Sequence, residues 1–266
     1  MRPVSSPRWT RFLHGGPLVE DDAVRALSRE ARRVLGQIWR RRAAQELCTS
    51  ALFAQLDAEL RLFGAAPEVL ELSARAIVDE AFHSELCLRL AEVYLAEPAV
   101  IEPLPEPAAP TFPVCSPRVQ RALFAVLHCA VNETLAVNYL SACLAEVQSD
   151  AAQRVLKELL ADEVRHARIG WAVLASPELT AQDRDTIARF MPALLDVCVG
   201  AWLADTQTEY PDDLPRGHGC ISHVGIARAV AESLDAVILP GLRHVQIDTT
   251  AASSWLQRGA FGRAPP

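Results

Sequence analysis

"ADEVRHARIG", residues 161–170, holds an Asp, then a Glu, then a His three places after the Glu, and "VDEAFHSELC", residues 78–87, repeats that order. On an α-helix, positions i and i+3 share a face, so Glu80 with His83 and Glu163 with His166 each form a two-donor claw. The neighbouring residues are rich in Ala and Leu, which favours helix in both places. One claw is a common accident. Two, roughly eighty residues apart, read as a helical bundle with metal ligands in its interior.

The rest of the composition agrees with a mostly helical chain. Of 266 residues, 50% are hydrophobic, 22% are charged and only 12 are glycine. This length supports a sizeable core in one domain, with room for an appended subdomain. The formal net charge of −7 argues against a nucleic-acid surface, and Arg40-Arg41-Arg42 reads as a solvated helix face. No run of about eighteen apolar residues suggests a membrane span. The opening "MRPVSSPRWTRFLHGG" lacks the apolar centre of a secretory signal. Seven cysteines in no CxxC pattern fit reduced thiols in helical apolar stripes. The expectation is a cytoplasmic protein that binds neither nucleic acid nor membrane.

Punctuation divides the chain. Asp21-Asp22 starts a helical pattern that reaches Phe63 and stops at Gly64, with Gly36 the one place for a break. Pro67 opens a second helix, which ends before Pro98. Seven prolines lie within residues 98–117 and predict an extended crossover. Ser116-Pro117 opens a third helix to about Gln148, and Ser149-Asp150 a fourth to about Ser176. Thr180 with Asp183 resembles a capping box for a fifth. "TEYPDDLPRGHGC" reads as loop, Ser222 caps a sixth helix ending near Pro240, and the last twenty residues read as an irregular tail. The division expected is an N-terminal arm (1–20), a four-helix bundle (21–176) and a C-terminal helical extension packed on it (177–266).

A dinuclear carboxylate site needs one further Glu from each of the first and third helices. Glu133 is the lone acid in the stripe Val126, Cys129, Ala130, Glu133, Val137, Leu140. A carboxylate buried there costs several kcal/mol unless a cation or hydrogen bonds offset it. The first helix offers Glu46, on a face with Ala43, Ser50 and Phe53, whereas Glu30 and Glu59 have more polar surroundings. Thirty-four residues separate Glu46 from Glu80 and thirty separate Glu133 from Glu163, which suits matched heights in two antiparallel hairpins. Four carboxylates and two neutral imidazoles balance two divalent cations. The oxygen and nitrogen donors suit iron, with manganese the alternative.

The set Glu46, Glu80, His83, Glu133, Glu163, His166 resembles the ferritin-like di-iron carboxylate proteins, over roughly residues 30–176. The resemblance implies an all-α, ferritin-like four-helix bundle with a long crossover between helices 2 and 3 and additional C-terminal helices. It implies two iron ions, O2 as co-substrate, a small or medium organic substrate and an external electron donor such as a reductase or ferredoxin. A homodimer is compatible with it. In monooxygenase-like members, the Asp of an Asp-Glu-x-Arg-His motif orients the ligand His of the opposite hairpin. By that likeness Asp79 orients His166, Asp162 orients His83, and Arg165 balances the aspartates. Glu133 is the ligand expected to shift its carboxylate during turnover.

Departures leave the subfamily open. Ala136 stands where rubrerythrin-like proteins add a Glu, and Leu159 where the N-oxygenases add a His. Cys87 stands where the ribonucleotide reductase subunit keeps its radical Tyr, and Val137 where the methane monooxygenase hydroxylase has Thr. The expected activity is therefore O2-dependent hydroxylation, N-oxygenation or desaturation. An iron-storage ferroxidase and a dimanganese catalase are the alternatives. His218, Cys220 and His223 are three of the four ligands a zinc site needs, and read better as surface-loop residues. His128 and Cys129, one turn before Glu133, and the aromatics Trp39, Phe53, Phe82 and Phe124 are candidates for a cavity wall, though core packing is their commoner role.

Overall fold

The computed structural model describes residues 7–102, 104, 112, 115–204, 210 and 213–258, and among these there is no strand. Its helices are α1 (Pro7–Leu13), α2 (Asp22–Arg25), α3 (Arg29–Phe63), α4 (Pro67–Leu95), α5 (Pro117–Glu146), α6 (Asp150–Ala175) and α7 (Ala181–Leu203). A further helix, α8, runs His223–Ser233, continues through a π turn at Leu234–Ile238 and ends as Leu239–His244; α9 is Thr250–Gln257. The central part of the proline-rich crossover (103, 105–111, 113–114), part of the expected loop (208–209 and 211–212) and residues 259–266 lie outside the described residues.

Serine, threonine and aspartate side chains start the helices as their sequence positions suggest. Ser28, Ser116, Ser149, Thr180 and Ser222 each accept a backbone N–H at the N-terminus of their helix, and Thr180 with Asp183 completes a capping box. The long first helix does not begin at Asp21. That residue caps only the single turn of α2, and its other carboxylate oxygen accepts from Ser149 and from the Ala151 N–H at the start of α6. Two helix ends thus share one aspartate.

Four long helices enclose the core. Across α3 and α4, Arg32 meets the Tyr94 carbonyl, Ala43 accepts from Ser84, Ser50 donates to Ile77, and Asp57 accepts from Ser73. The numbers run in opposite directions, so the pair is antiparallel. The same holds for α4 with α6 (His83 with Asp162, His166 with Asp79). It also holds for α3 with α5 (Arg42 with Tyr139, Glu59 with Arg121). Consequently α4 and α5 run the same way, and the connection between them spans the length of the bundle. Gly36 does not break α3. A Cβ there would come within 2.6 Å of Leu95 Cγ, so this glycine lets α4 end tightly against α3.

Helix α5 is not uniform: Val126–Glu133 winds as a π-helix. Gly170 of α6 faces it so closely that a Cβ would lie 2.3 Å from the Ala130 nitrogen. By length and hydropathy, α5 and α7 each reach the measure of a membrane span, which the sequence reading did not anticipate. The most apolar window of α5 is 72% buried inside the protein and that of α7 is 39% buried. Two further expectations are corrected. The sixth helix does not stop at Pro240, because the π turn resets the helix phase and leaves Pro240 in the first turn of the next segment. Residues 250–257 are helical and pack on α7, with Trp255 Nε1 donating to Asp196 at 3.3 Å. Eight residues with a brief apolar stripe give little periodic signal.

Candidate metal centre

All six expected donors meet in the bundle interior. Glu46 of α3, Glu80 and His83 of α4, and Glu163 of α6 form one group of mutually close ligand atoms; Glu80, Glu133 of α5, Glu163 and His166 form a second. Glu80 and Glu163 belong to both. Every ligand atom within a group lies within 4.8 Å of the others. Glu80 and His83 are fully inaccessible and Glu133, Glu163 and His166 are buried. Glu46 is half-buried, because it opens onto a cavity. The competitors lie elsewhere: Glu30 is exposed beside Arg33, and Glu59 pairs with Arg121.

The two rings point the same chemistry inward. Nδ1 of His166 lies 2.8 Å from Glu80 and 2.9 Å from Glu163, and Nδ1 of His83 lies 3.3 Å from Glu163. Their Nε2 atoms face outward, His83 to Asp162 at 3.0 Å and His166 to Asp79 at 3.5 Å. Asp162 therefore hydrogen-bonds the histidine of the opposite hairpin, and Asp79 faces the other without closing a hydrogen bond. Such a partner fixes the tautomer of a ligand ring and raises its basicity. Arg165 pairs with Asp162 alone; Asp79 has Arg75 at 3.3 Å. Sequence reading missed the cation between them. Arg8 of α1 pairs with both Asp79 and Asp162 and lies 4.4 Å over the Phe82 ring. No local pattern in the sequence links residue 8 to residues 79 and 162.

Several buried atoms in this cluster want a cation. Although Nδ1 of His166 lies 2.8 Å from Glu80, neither carboxylate oxygen of Glu80 nor Nδ1 of His83 has a well-aligned hydrogen-bond partner among the described residues. A burial of this kind is costly unless a charge of opposite sign offsets it. Protonation tells the same story. Burial, then Glu80 and Glu163, push the Glu46 carboxyl up; burial, then Glu163 and Glu80, do the same to Glu133. For His83 burial opposes the charge, but Glu163 and Glu80 outweigh it and hold the pKa at about 10. His166 is likewise raised against burial, by Asp79, Glu163 and Glu80. Glu163 alone falls below the usual carboxylate range, since His166 and His83 overcome its burial. Without metal the cluster thus gathers protons at four groups, where two divalent cations would bring the same charge. The donor set fits them.

A cavity of about 340 Å³ adjoins the cluster, with Glu46, Glu133 and Glu163 in its wall. The π winding of α5 shapes that wall. Residues five apart diverge by about 140° on an α-helix, but i→i+5 hydrogen bonding stacks them, so His128 and Glu133 both line the cavity. Phe53 and Ala136 line it too, and the Phe53 ring lies 5.1 Å from that of His166. Trp39, Phe82 and Phe124 pack in the core outside it. Cys129 and Cys87 are buried, and burial with a nearby carboxylate (Glu133 and Glu46 respectively) raises both thiols well above their ordinary range. His218 and Cys220 are buried rather than on the surface, and His218 Nδ1 lies 3.0 Å from the Tyr94 hydroxyl. Among the described residues they belong to no metal-type cluster.

Comparison of the chain with family models, with curated proteins and with solved structures found no match.

Proposed function

We propose that this protein is a dinuclear non-haem iron oxidoreductase of the ferritin-like class, acting with O2 on a small organic substrate. The carrying observation is the meeting of six donors, five of them buried, from four helices beside a cavity, each ring faced by a carboxylate from the opposite hairpin. Glu46, Glu80, His83, Glu133, Glu163 and His166 would hold two metal ions. Ferrous ions at such positions supply electrons and open coordination sites for activating O2. The up-down-down-up order of α3 to α6 supports the ferritin-like assignment.

The chain's own residues set the conditions. Asp79 and Asp162 hold the two imidazoles in orientation. Glu133, like Glu46, belongs to neither claw and faces both the cluster and the cavity, so its carboxylate is free to move toward a substrate. Helices α7 and α8 contribute to the cavity wall through Ala201, Trp202 and Ile226. Insertion of one oxygen atom takes two electrons from the substrate and two from outside, which assigns a reductase or ferredoxin as donor. A cytoplasmic location completes the reading.

The test is anaerobic reconstitution with ferrous iron and metal analysis. About two metals per chain are expected, with Glu133→Ala or His166→Ala losing at least one. A folded wild type that takes up neither iron nor manganese overturns the proposal. Oxygen uptake coupled to an organic product separates it from iron mineralisation and from peroxide breakdown.

A further inference from the structure

Arg42 of α3 takes no part in the metal cluster, yet its guanidinium is inside the protein, at 6% exposure. Among the described residues no carboxylate pairs with it. It donates to the Tyr139 hydroxyl and, at 3.4 Å, to the Gly219 carbonyl. The remaining contacts are ring faces: Trp39 at 4.3 Å and Tyr139 at 5.1 Å. A guanidinium carries five N–H donors, so these partners satisfy less than half of it. Ring contacts offset only part of the cost of burying a positive charge. An anion is missing from this account.

Position says where the anion would come from. Arg42 lines the same cavity as Glu46, Glu133 and Glu163. It precedes Glu46 by four residues on α3, about 6 Å along the helix axis. His128 stands in the same wall with Nε2 buried and without a hydrogen-bond partner. Burial holds that ring neutral, its pKa pushed down to about 4. Phe53, Leu56, Leu140 and Trp202 give the wall an apolar share. The volume is near the lower end of small-molecule sites.

We propose that the cavity binds a small organic carboxylate, its carboxylate seated on the Arg42 fork and its body running past His128 toward Glu46 and Glu133. The planar two-donor edge of arginine matches a carboxylate, and the remaining length places another atom of the same molecule about one helical turn away, at the metal cluster. This substrate class rests on reading the cavity as the site of the proposed oxidoreductase.

Calorimetry on the full chain tests it, with the protein metal-free and loaded with Mn(II). The probes are benzoate, 3-phenylpropanoate and hexanoate, each beside its primary amide, with inorganic phosphate as a further anion. At least one acid is expected to bind tenfold or more tightly than its amide in both metal states. Arg42→Gln should remove that difference, and Arg42→Lys should weaken the acids several-fold while leaving the amides unchanged, which keeps the test alive if one variant folds poorly. Amides equal to acids, no binding by any of the acids, tighter binding of phosphate, or a preference surviving in both variants overturns the assignment. Metal content of the same samples separates the two readings. Two metals without acid preference sinks this inference alone; acid preference without metal uptake sinks the oxidoreductase and leaves the Arg42 site standing.

Discussion

Asp162 illustrates how much rests on single side chains here. It is wholly inaccessible and touches three partners: His83 Nε2, Arg165 and Arg8. If its role is to orient His83, Asp162→Ala should weaken metal retention by about 10–100-fold while the helical content stays near wild type. Chelator competition followed by circular dichroism measures both. Unchanged retention would reduce Asp162 to a counter-ion for the two arginines. The ligands themselves were legible because helical spacing is local: a Glu and a His three apart share a face whatever packs against them. Glu46 was legible by its apolar face and by its thirty-four-residue separation from Glu80, a weaker signal than a claw because it depends on the hairpin pairing. Arg8 and Arg42 were not legible at all, and Arg42 had been read as part of an exposed basic face. Their partners are chosen by tertiary packing, across 71 residues from Arg8 to Asp79 and 97 from Arg42 to Tyr139.

At the scale of elements, α1 and the π segment of α5 carry most of what was unexpected. Seven residues of α1 have little helical stability alone, so the docking of Arg8 and Trp9 on α4 holds the element in place. Arg8→Gln leaves Asp79 with Arg75 and Asp162 with Arg165, so the loss is partial, about 1–3 kcal/mol. That corresponds to a fall in Tm of several degrees for a chain of this size, with faster proteolytic cleavage near residue 14. A Tm within one degree of wild type and unchanged cleavage would mean that α1 is not held by this arginine. The π winding escaped sequence reading because the apolar stripe Val126, Cys129, Ala130, Glu133 fits an α-helix equally well. Its signature lies in Gly170, on another helix, which makes room for the widened backbone.

For the molecule as a whole, protons and the proposed metal ions would compete for the same interior. His83, raised to about 10, supports the metal-free fold fully below its ordinary value near 6.5, and that support fades as pH rises through 10. Glu46 and Glu133 are raised as well, so their ionisation above the ordinary carboxylate range also costs the metal-free fold stability. Both trends lower its Tm as pH rises. Metal displaces those protons, so the Tm gain at a fixed excess of Mn(II) should be larger at pH 7.5 than at 5.5. At a hundredfold excess over Kd the gain is about 2.7 kcal/mol for each site filled, or roughly 5–10 °C per site. Differential scanning calorimetry at the two pH values decides it, and a gain larger at pH 5.5 would contradict the protonation scheme. The helix order was readable from proline and cap positions. What lay beyond residue 176 was harder, because short helices and a proline carried inside α8 give weak or misleading punctuation.

The contact of Arg8 with Asp162 also sets a clock on biosynthesis. At about 5–20 residues per second, a ribosome needs roughly 8–30 seconds to travel from one to the other. Through that interval the α3–α4 hairpin can form and Asp79 can meet both Arg8 and Arg75, but His83 has no carboxylate behind it. The centre cannot reach its final geometry before α6 is out, so iron offered to the growing chain would meet an incomplete set of donors. On the proposed reading, metal loading belongs after α6 has emerged.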